Sequence, residues 1–362
     1  MSAAELLEGA RNLVRYVELA RGQEVLIHVE PGYDDPEVIA ALQAAVRESG
    51  ARVSVLHTGN WKKQLEPPPP VLEAALEGID VLIGQGEYLF TKNHYLQVAM
   101  FEKGLVYINN EAKTAAALSS AYGRFPAEVM FAIGTAVVER VARAKVIRVT
   151  TTAGTDITMG VRPETVGGYC YPFRHDAPGY KKGFPGGTGC FHPEDPVDGV
   201  LAIGAIAPGL GAPKTVLDEP LRIVYRDHRA VELSGDGSDW LRDLWARKGD
   251  ANSSWLAECM WGLHPRAGGA GARSASNPHL LHFGLGNSIP YGGPTFSKTW
   301  VVLFVEDATL TLDGVPLLDR GRLTVLEEPE VRAVAARYGD PDELLAQLPV
   351  TLRESFGGRD RE

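Results

Sequence analysis

Three cysteines in 362 residues are too few, and odd in number, for a disulfide framework, and they fit a reducing compartment. Basic charge is also short. Lys and Arg total 36 against 46 Asp and Glu, a formal net charge of −10 and a pI near 5.5. An acidic chain has no electrostatic reason to hold nucleic acid or an anionic membrane. No stretch reaches the roughly 18 unbroken apolar residues of a membrane span. The first residues, Met1-Ser2-Ala3-Ala4-Glu5-Leu6-Leu7-Glu8, lack the basic and apolar regions of a secretory leader. The expectation is a cytoplasmic protein that works on a small molecule. Several signatures are missing too: GxxxxGK[ST], GxSxG, HExxH and paired CxxC do not occur.

Hydrophobic residues at 44% and charged residues at 23% are the mix of an ordinary folded chain, and the length suggests two domains. In the first 145 residues strand and helix patterns alternate. Residues 3–21 space their apolar side chains for a helix, and Val25-Leu26-Ile27-His28-Val29 reads as a buried strand. Asp34-Asp35-Pro36 starts a second helix, which runs through Glu48. Val53–His57, Asp80–Gly84 and Leu105–Asn109 are further strands, with a helix expected over 71–79 after the four prolines 67–70. Two helices, about 111–122 and 126–144, close this half. Such alternation predicts α/β: a doubly wound parallel sheet over residues 1–145. Beyond it lies a larger, strand-rich α+β domain over 146–362. Its expected elements are a strand pair turning at Ala153-Gly154-Thr155-Asp156, strands at 222–225, 300–305 and 309–312, and a helix at 238–247. One or two helices are expected between 329 and 357.

Polar residues that could carry chemistry concentrate in that second part. Glu258 sits in the apolar stretch Trp255-Leu256-Ala257-Glu258-Cys259-Met260-Trp261-Gly262-Leu263-His264-Pro265-Arg266. Burying a bare carboxylate is costly, so Glu258 must be paired, protonated or metal-bound. If the stretch is extended, Glu258, Met260, Gly262 and His264 share one face. The structural alternative is a Glu paired with Arg266 or another base at a strand end. A second cluster is Pro278-His279-Leu280-Leu281-His282-Phe283-Gly284-Leu285-Gly286-Asn287-Ser288. Its two histidines fall on opposite faces of a strand, and His282 is the embedded one. A third runs from Tyr169 through His175, and then from Gly183 to His192. Its glycine-rich segment reads as a loop over a ligand, and Cys190 and His192 are a candidate nucleophile pair with no third orienting group beside it in the sequence. In the first half, Gly84-Gln85-Gly86 is an ordinary strand-end turn, and Thr91 and His94 follow it where open α/β sheets bind ligands.

These segments together resemble a superfamily that joins the aminopeptidase T metallopeptidases to the non-haem iron enzyme 2,5-dihydroxypyridine 5,6-dioxygenase. The likeness is sharpest at Trp261-Gly262-Leu263-His264-Pro265-Arg266-Ala267, which looks like the dioxygenase branch. The resemblance implies metal ligation by Glu258, where the peptidase branch has a glutamate, and by His282, whose His282-Phe283-Gly284-Leu285-Gly286 strand is similar to that branch's. The His-x-Asp pair of both branches is missing: the stretch here reads Lys298-Thr299-Trp300-Val301-Val302-Leu303. A third ligand could come from His279, His264, His192 or His175. The resemblance thus implies Glu258, His264 and His192 as catalytic candidates, with Glu258, His282 and His279 around a divalent metal (Fe, Zn, Mn or Co). Thr91, His94, His175, Arg266 and Asn287 are the substrate-binding candidates. The expected activity is metal-dependent hydrolysis of a small polar, nitrogen-containing molecule by a homo-oligomer. The alternatives are iron-dependent ring cleavage, or a metal-free binding protein or metal-independent enzyme on the same scaffold.

Overall fold

The computed structural model describes residues 2–61, 67–86, 94–161, 181–208, 214–268, 274–288 and 295–356. Contacts divide the chain into two units. The first holds residues 1–132, 170–187 and 266–273; the second holds 133–169, 188–265 and 274–362.

In the first unit, helix α1 (Ala3–Val17) opens on a capping box in which Ser2 and Glu5 satisfy each other's backbone N–H groups. It buries Leu6, Ala10, Leu13 and Val17 along one stripe. It stops short of the expected residue 21 because Glu18 takes a left-handed conformation and closes the C-terminus. Strand β1 (Glu24–Val29) follows, then α2 (Pro36–Glu48), whose first N–H groups are capped by Asp35. The other elements are β2 (Arg52–His57), α3 (Pro70–Ala75), β3 (Val81–Gln85), α4 (His94–Lys103), β4 (Val106–Asn110) and α5 (Ala115–Ser119). Helix α6 (Ala127–Val141) leads into the second unit. The sheet is parallel with order β2-β1-β3-β4, so the chain reverses direction of growth between β1 and β3. β1 and β3 are buried along almost their whole length, which explains their unbroken apolar runs; β2 at the edge alternates.

The second unit is built on a 12-stranded sheet. The hairpin β5 (Val146–Thr150) and β6 (Asp156–Gly160) turns at Gly154, which has φ 103°. Next in chain order comes β7 (Lys181–Phe184), which returns to the first sheet and pairs with β4 in parallel. The segment 183–192, expected as a loop, is therefore largely strand: β8 (Thr188–Phe191) begins just past Gly187 and pairs with β12 (Leu256–Gly262). Glycine is tolerated there because a neighbour fills its space. A Cβ on Gly189 would lie 2.3 Å from the Trp261 ring. The long β9 (Glu194–Ala207) carries the branch β10 (Thr215–Arg226) and β11 (Arg229–Ser234), and α7 (Ser238–Lys248) follows. The centre is β12, β13 (Leu280–Leu285) and β14 (Val301–Glu306), antiparallel and buried except at Glu306. β15 (Thr309–Leu312), β16 (Val315–Asp319) and β17 (Arg322–Leu323) complete the sheet. Among the described residues the C-terminal helices are three short ones, α8 (Pro329–Ala335), α9 (Pro341–Leu344) and α10 (Leu352–Phe356). Leu352 and Phe356 of α10 cover Leu280, Val302 and Phe304. The fold is thus α/β, a parallel sheet accompanied by a larger antiparallel one.

Candidate active site

Register places the chemistry. Glu258 stands opposite Gly284, and Met260 opposite His282, across β12 and β13; Phe304 of β14 stands opposite His282 on the other side. Residues opposed across antiparallel strands share a face. Glu258, Met260, His282, Gly284 and Phe304 therefore point the same way. Glu258 and His282 are diagonal neighbours there, about 7 Å apart at Cβ by ordinary sheet geometry. Both are fully buried.

Gly284 is what gives the carboxylate room. A Cβ on it would come within 2.1 Å of Glu258 Oε1 and 2.2 Å of its Cγ. Trp300 Nε1, at the entrance to β14, donates to Glu258 Oε1 at 3.2 Å. His282 Nε2 lies 3.2 Å from Met260 Sδ, and its ring packs 5.3 Å from that of Phe304. A thioether has no proton to give, so Nε2 carries the hydrogen of that contact. Cys259 points to the opposite face. Burial pushes its thiol well above the usual range, and the negative charge of Glu258 pushes it further, so Cys259 is no nucleophile.

The remaining candidates spread out. His192 is buried and donates from Nδ1 to the Ala257 carbonyl at 3.1 Å, while the Cys190 thiol lies 3.9 Å from the Phe191 carbonyl. β12 ends at Gly262, so the two-residue strand period does not extend to His264, which is fully buried. The backbone of Ser276 and Asn277 crosses where a Cβ of Gly262 would be, and His264 N bonds the Ser276 carbonyl. His279 precedes β13 and is engaged elsewhere: its Nδ1 is 2.6 Å from Asp307 Oδ1. Asn287 lies just past β13 and is half-buried; Arg266 is half-buried and grouped with the first unit. His94 opens α4, but its side chain, like Thr91 and His175 altogether, lies outside the described residues.

Among the described residues no three His, Cys, Asp or Glu side chains are placed to hold one ion, so Glu258, His282 and His279 do not form the expected metal site. A facial iron site needs two histidines and a carboxylate, and a hydrolytic metal pair needs more. The described donors do not fit either group. Of the residues that contact these two donors, Met260 is readable from the sequence as a neighbour of Glu258 on one strand face, and Trp300 only as core. The available signal was that a buried indole N–H seeks an acceptor.

The fold defines a class, and the comparisons place the chain within it. The family model described as NicX, 2,5-dihydroxypyridine 5,6-dioxygenase, matches residues 124–325, more than half of the sequence, and the chain belongs to that family. Among solved structures it is similar to the 2,5-dihydroxypyridine dioxygenase of Pseudomonas putida KT2440. The identity is 18% and the TM-score 0.69, covering 92% of this chain and 100% of that one. It is also similar to wild-type AmpT from Thermus thermophilus, at 16% identity and a TM-score of 0.62, covering 89% and 99% respectively. At these identities the likeness establishes the shared fold. No curated protein matches the sequence. Among the described residues no helix is long and apolar enough to cross a membrane.

Proposed function

We propose that this chain is an enzyme acting on a small polar, nitrogen-containing molecule, with Glu258 as the group that moves its protons. The observation that carries the reading is a wholly buried carboxylate beside an imidazole on one sheet face, over a glycine that leaves it space. A carboxylate shut away from water costs several kcal/mol unless compensated, and an apolar side chain of similar volume would serve packing as well or better. An acid kept in a dry site is the arrangement that acid–base chemistry uses. In the hydrolytic form, Glu258 takes a proton from the attacking water and delivers it to the leaving nitrogen. Trp300 fixes the carboxylate's orientation through its N–H. The position of Glu258 and the His282 strand, both similar to the peptidase branch, support hydrolysis. Metal-dependent forms of the reaction need donors beyond those described.

A second reading, oxygen-dependent cleavage of a hydroxylated pyridine ring, is favoured by the family match over 124–325. One assay separates the two. Small amides, amidines and hydroxypyridines are screened for ammonia or amine release and for oxygen uptake. The expected result is nitrogen release without oxygen consumption, reduced at least about 10²-fold by Glu258→Gln at unchanged secondary structure. Oxygen uptake would establish the second reading. Full turnover in Glu258→Gln would remove Glu258 from the chemistry.

A further inference from the structure

Trp300 donates to Glu258, yet it lies just outside the ladder: β14 begins to pair with β13 at Val301, opposite Leu285. The strand pairing therefore does not by itself fix where the indole stands. We propose that Asp250 is the positioning residue: its carboxylate staples the entrances of β12 and β14 together across the end of β13, and so holds the Trp300 N–H on Glu258 Oε1.

β12 and β14 are both antiparallel to β13, so they run in the same direction and begin at the same end of it. They flank β13 at about 9–10 Å from each other, too far for ladder hydrogen bonds. Glu258 comes from one and Trp300 from the entrance to the other. They meet above Gly284 of the middle strand, where Oε1 takes the space of a Cβ. At 3.2 Å the bond is at the long end of the N–H···O range, so sliding one outer strand by about half an ångström breaks it. Packing of the indole on Val302 and Phe304 is apolar and non-directional, and does not choose the partner of the N–H.

The staple is printed in the turns ahead of both strands. Asp250, before β12, accepts at Oδ2 from the Lys298 backbone N–H at 2.7 Å and at Oδ1 from the Ser297 hydroxyl at 3.0 Å. On its own side Oδ1 also accepts from Asn252 N–H at 3.0 Å, and the Asn252 amide donates to the Phe296 carbonyl at 2.9 Å. Ser297 passes the constraint on, since its Oγ accepts from the N–H of Thr299, the residue before Trp300, at 3.1 Å. Gly286, the residue after β13, lies between the two turns with φ 94°. Its N–H donates to the Trp255 carbonyl at 2.9 Å, and the Thr299 carbonyl lies 2.3 Å from where its Cβ would be. Ser297 and Thr299 are buried, so the knot is packed and not a surface turn. Hydrogen bonds to an ionised acceptor are roughly twice as strong as neutral ones. The Lys298 N–H chiefly holds the Asp250 carboxyl below its ordinary range, so that charge is present at neutral pH.

The inference rests on the reading of Glu258 as the working group, but its test needs no turnover. The full chain is labelled with ¹⁵N at the indole nitrogens, and its six tryptophans give six N–H signals. Trp300→Phe identifies the Trp300 signal, and Glu258→Gln is expected to shift it. In Asp250→Asn one oxygen becomes an NH₂ group, with no lone pair for the donor it faces. Asp250→Asn and, separately, Ser297→Ala are expected to shift the Trp300 signal and to speed its exchange with water about tenfold. The signals of Trp61 and of Trp261, at the far end of β12, should stay in place. Ser297→Ala deletes one hydroxyl and decides the question if Asp250→Asn does not fold. A folded variant of either kind whose Trp300 signal and exchange match wild type would overturn the proposal, as would a Trp300 signal that Glu258→Gln leaves unmoved. If the signals behave as expected while Glu258→Gln keeps full activity, the functional reading fails and the positioning by Asp250 stands.

Discussion

A glycine decides where the carboxylate of the candidate site can lie. With a Cβ on residue 284, Glu258 loses the space its Oε1 and Cγ occupy, and both strands are buried, so neither backbone can yield cheaply. Gly284→Ala is therefore expected to lower stability by about 1–3 kcal/mol in denaturant unfolding and to depress activity as Glu258→Gln does. Unchanged stability would mean that Glu258 swings aside freely and is not held. At this scale the sequence was partly readable. Glu258 and His282 stood out because polar residues inside apolar runs demand an explanation. Trp300 did not, because an indole is itself apolar and its N–H partner depends on register across three strands. For His264 the two-residue spacing is no guide, because it holds only while the strand continues and β12 ends at Gly262, against the backbone of Ser276–Asn277.

Among the elements, local signals worked where one segment carried its own explanation. β1 and β3 were legible from unbroken apolar runs, and α2 from Asp35-Pro36. β7 and β8 were not, since their glycines gain support only from distant partners: β4 for one, and β12 with Trp261 for the other. α2 offers a measurable case. Asp35 Oδ1 accepts from Glu37 and Val38 N–H, while its Oδ2 accepts from Ala115 N–H at the start of α5 at 3.0 Å. One carboxylate thus caps one helix and ties it to another. Asp35→Ala is expected to cost about 1–2 kcal/mol, the upper range for a lost cap, because a second N–H loses its acceptor as well. Asp35→Asn, which keeps both oxygen and geometry for the cap, should recover part of that. An Asp35→Ala loss below a few tenths of a kcal/mol in urea unfolding would contradict the dual role.

Over the whole molecule, acid sensitivity follows from carboxylates spread across both units. Hydrogen bonds from Ser2 hold Glu5 below its ordinary value, and the Arg11 guanidinium does the same for Glu48. In the second unit, Arg148 lowers Asp156, the Lys298 backbone N–H chiefly lowers Asp250, and Thr351 lowers Glu354. Each folded-state value is depressed relative to the unfolded one. Each therefore contributes stability that is present above its ordinary value, 3.8 for Asp and 4.5 for Glu, and is lost as pH falls through the folded value. Thermal midpoints should hold from neutral pH to about 5 and fall steadily below about 4. Salt separates the causes. The Arg11–Glu48 and Arg148–Asp156 pairs are exposed and weaken with ionic strength, whereas Asp250 is held by backbone N–H groups of Lys298 and Asn252 and by the Ser297 hydroxyl, short contacts that screening barely reaches. Asp250→Asn should then flatten the acid limb of the melting curve equally at low and high salt, because the amide does not titrate. Arg148→Gln should flatten it only at low salt. If both variants respond to salt alike, the distinction between backbone-held and ion-paired carboxylates does not govern the acid stability of this fold.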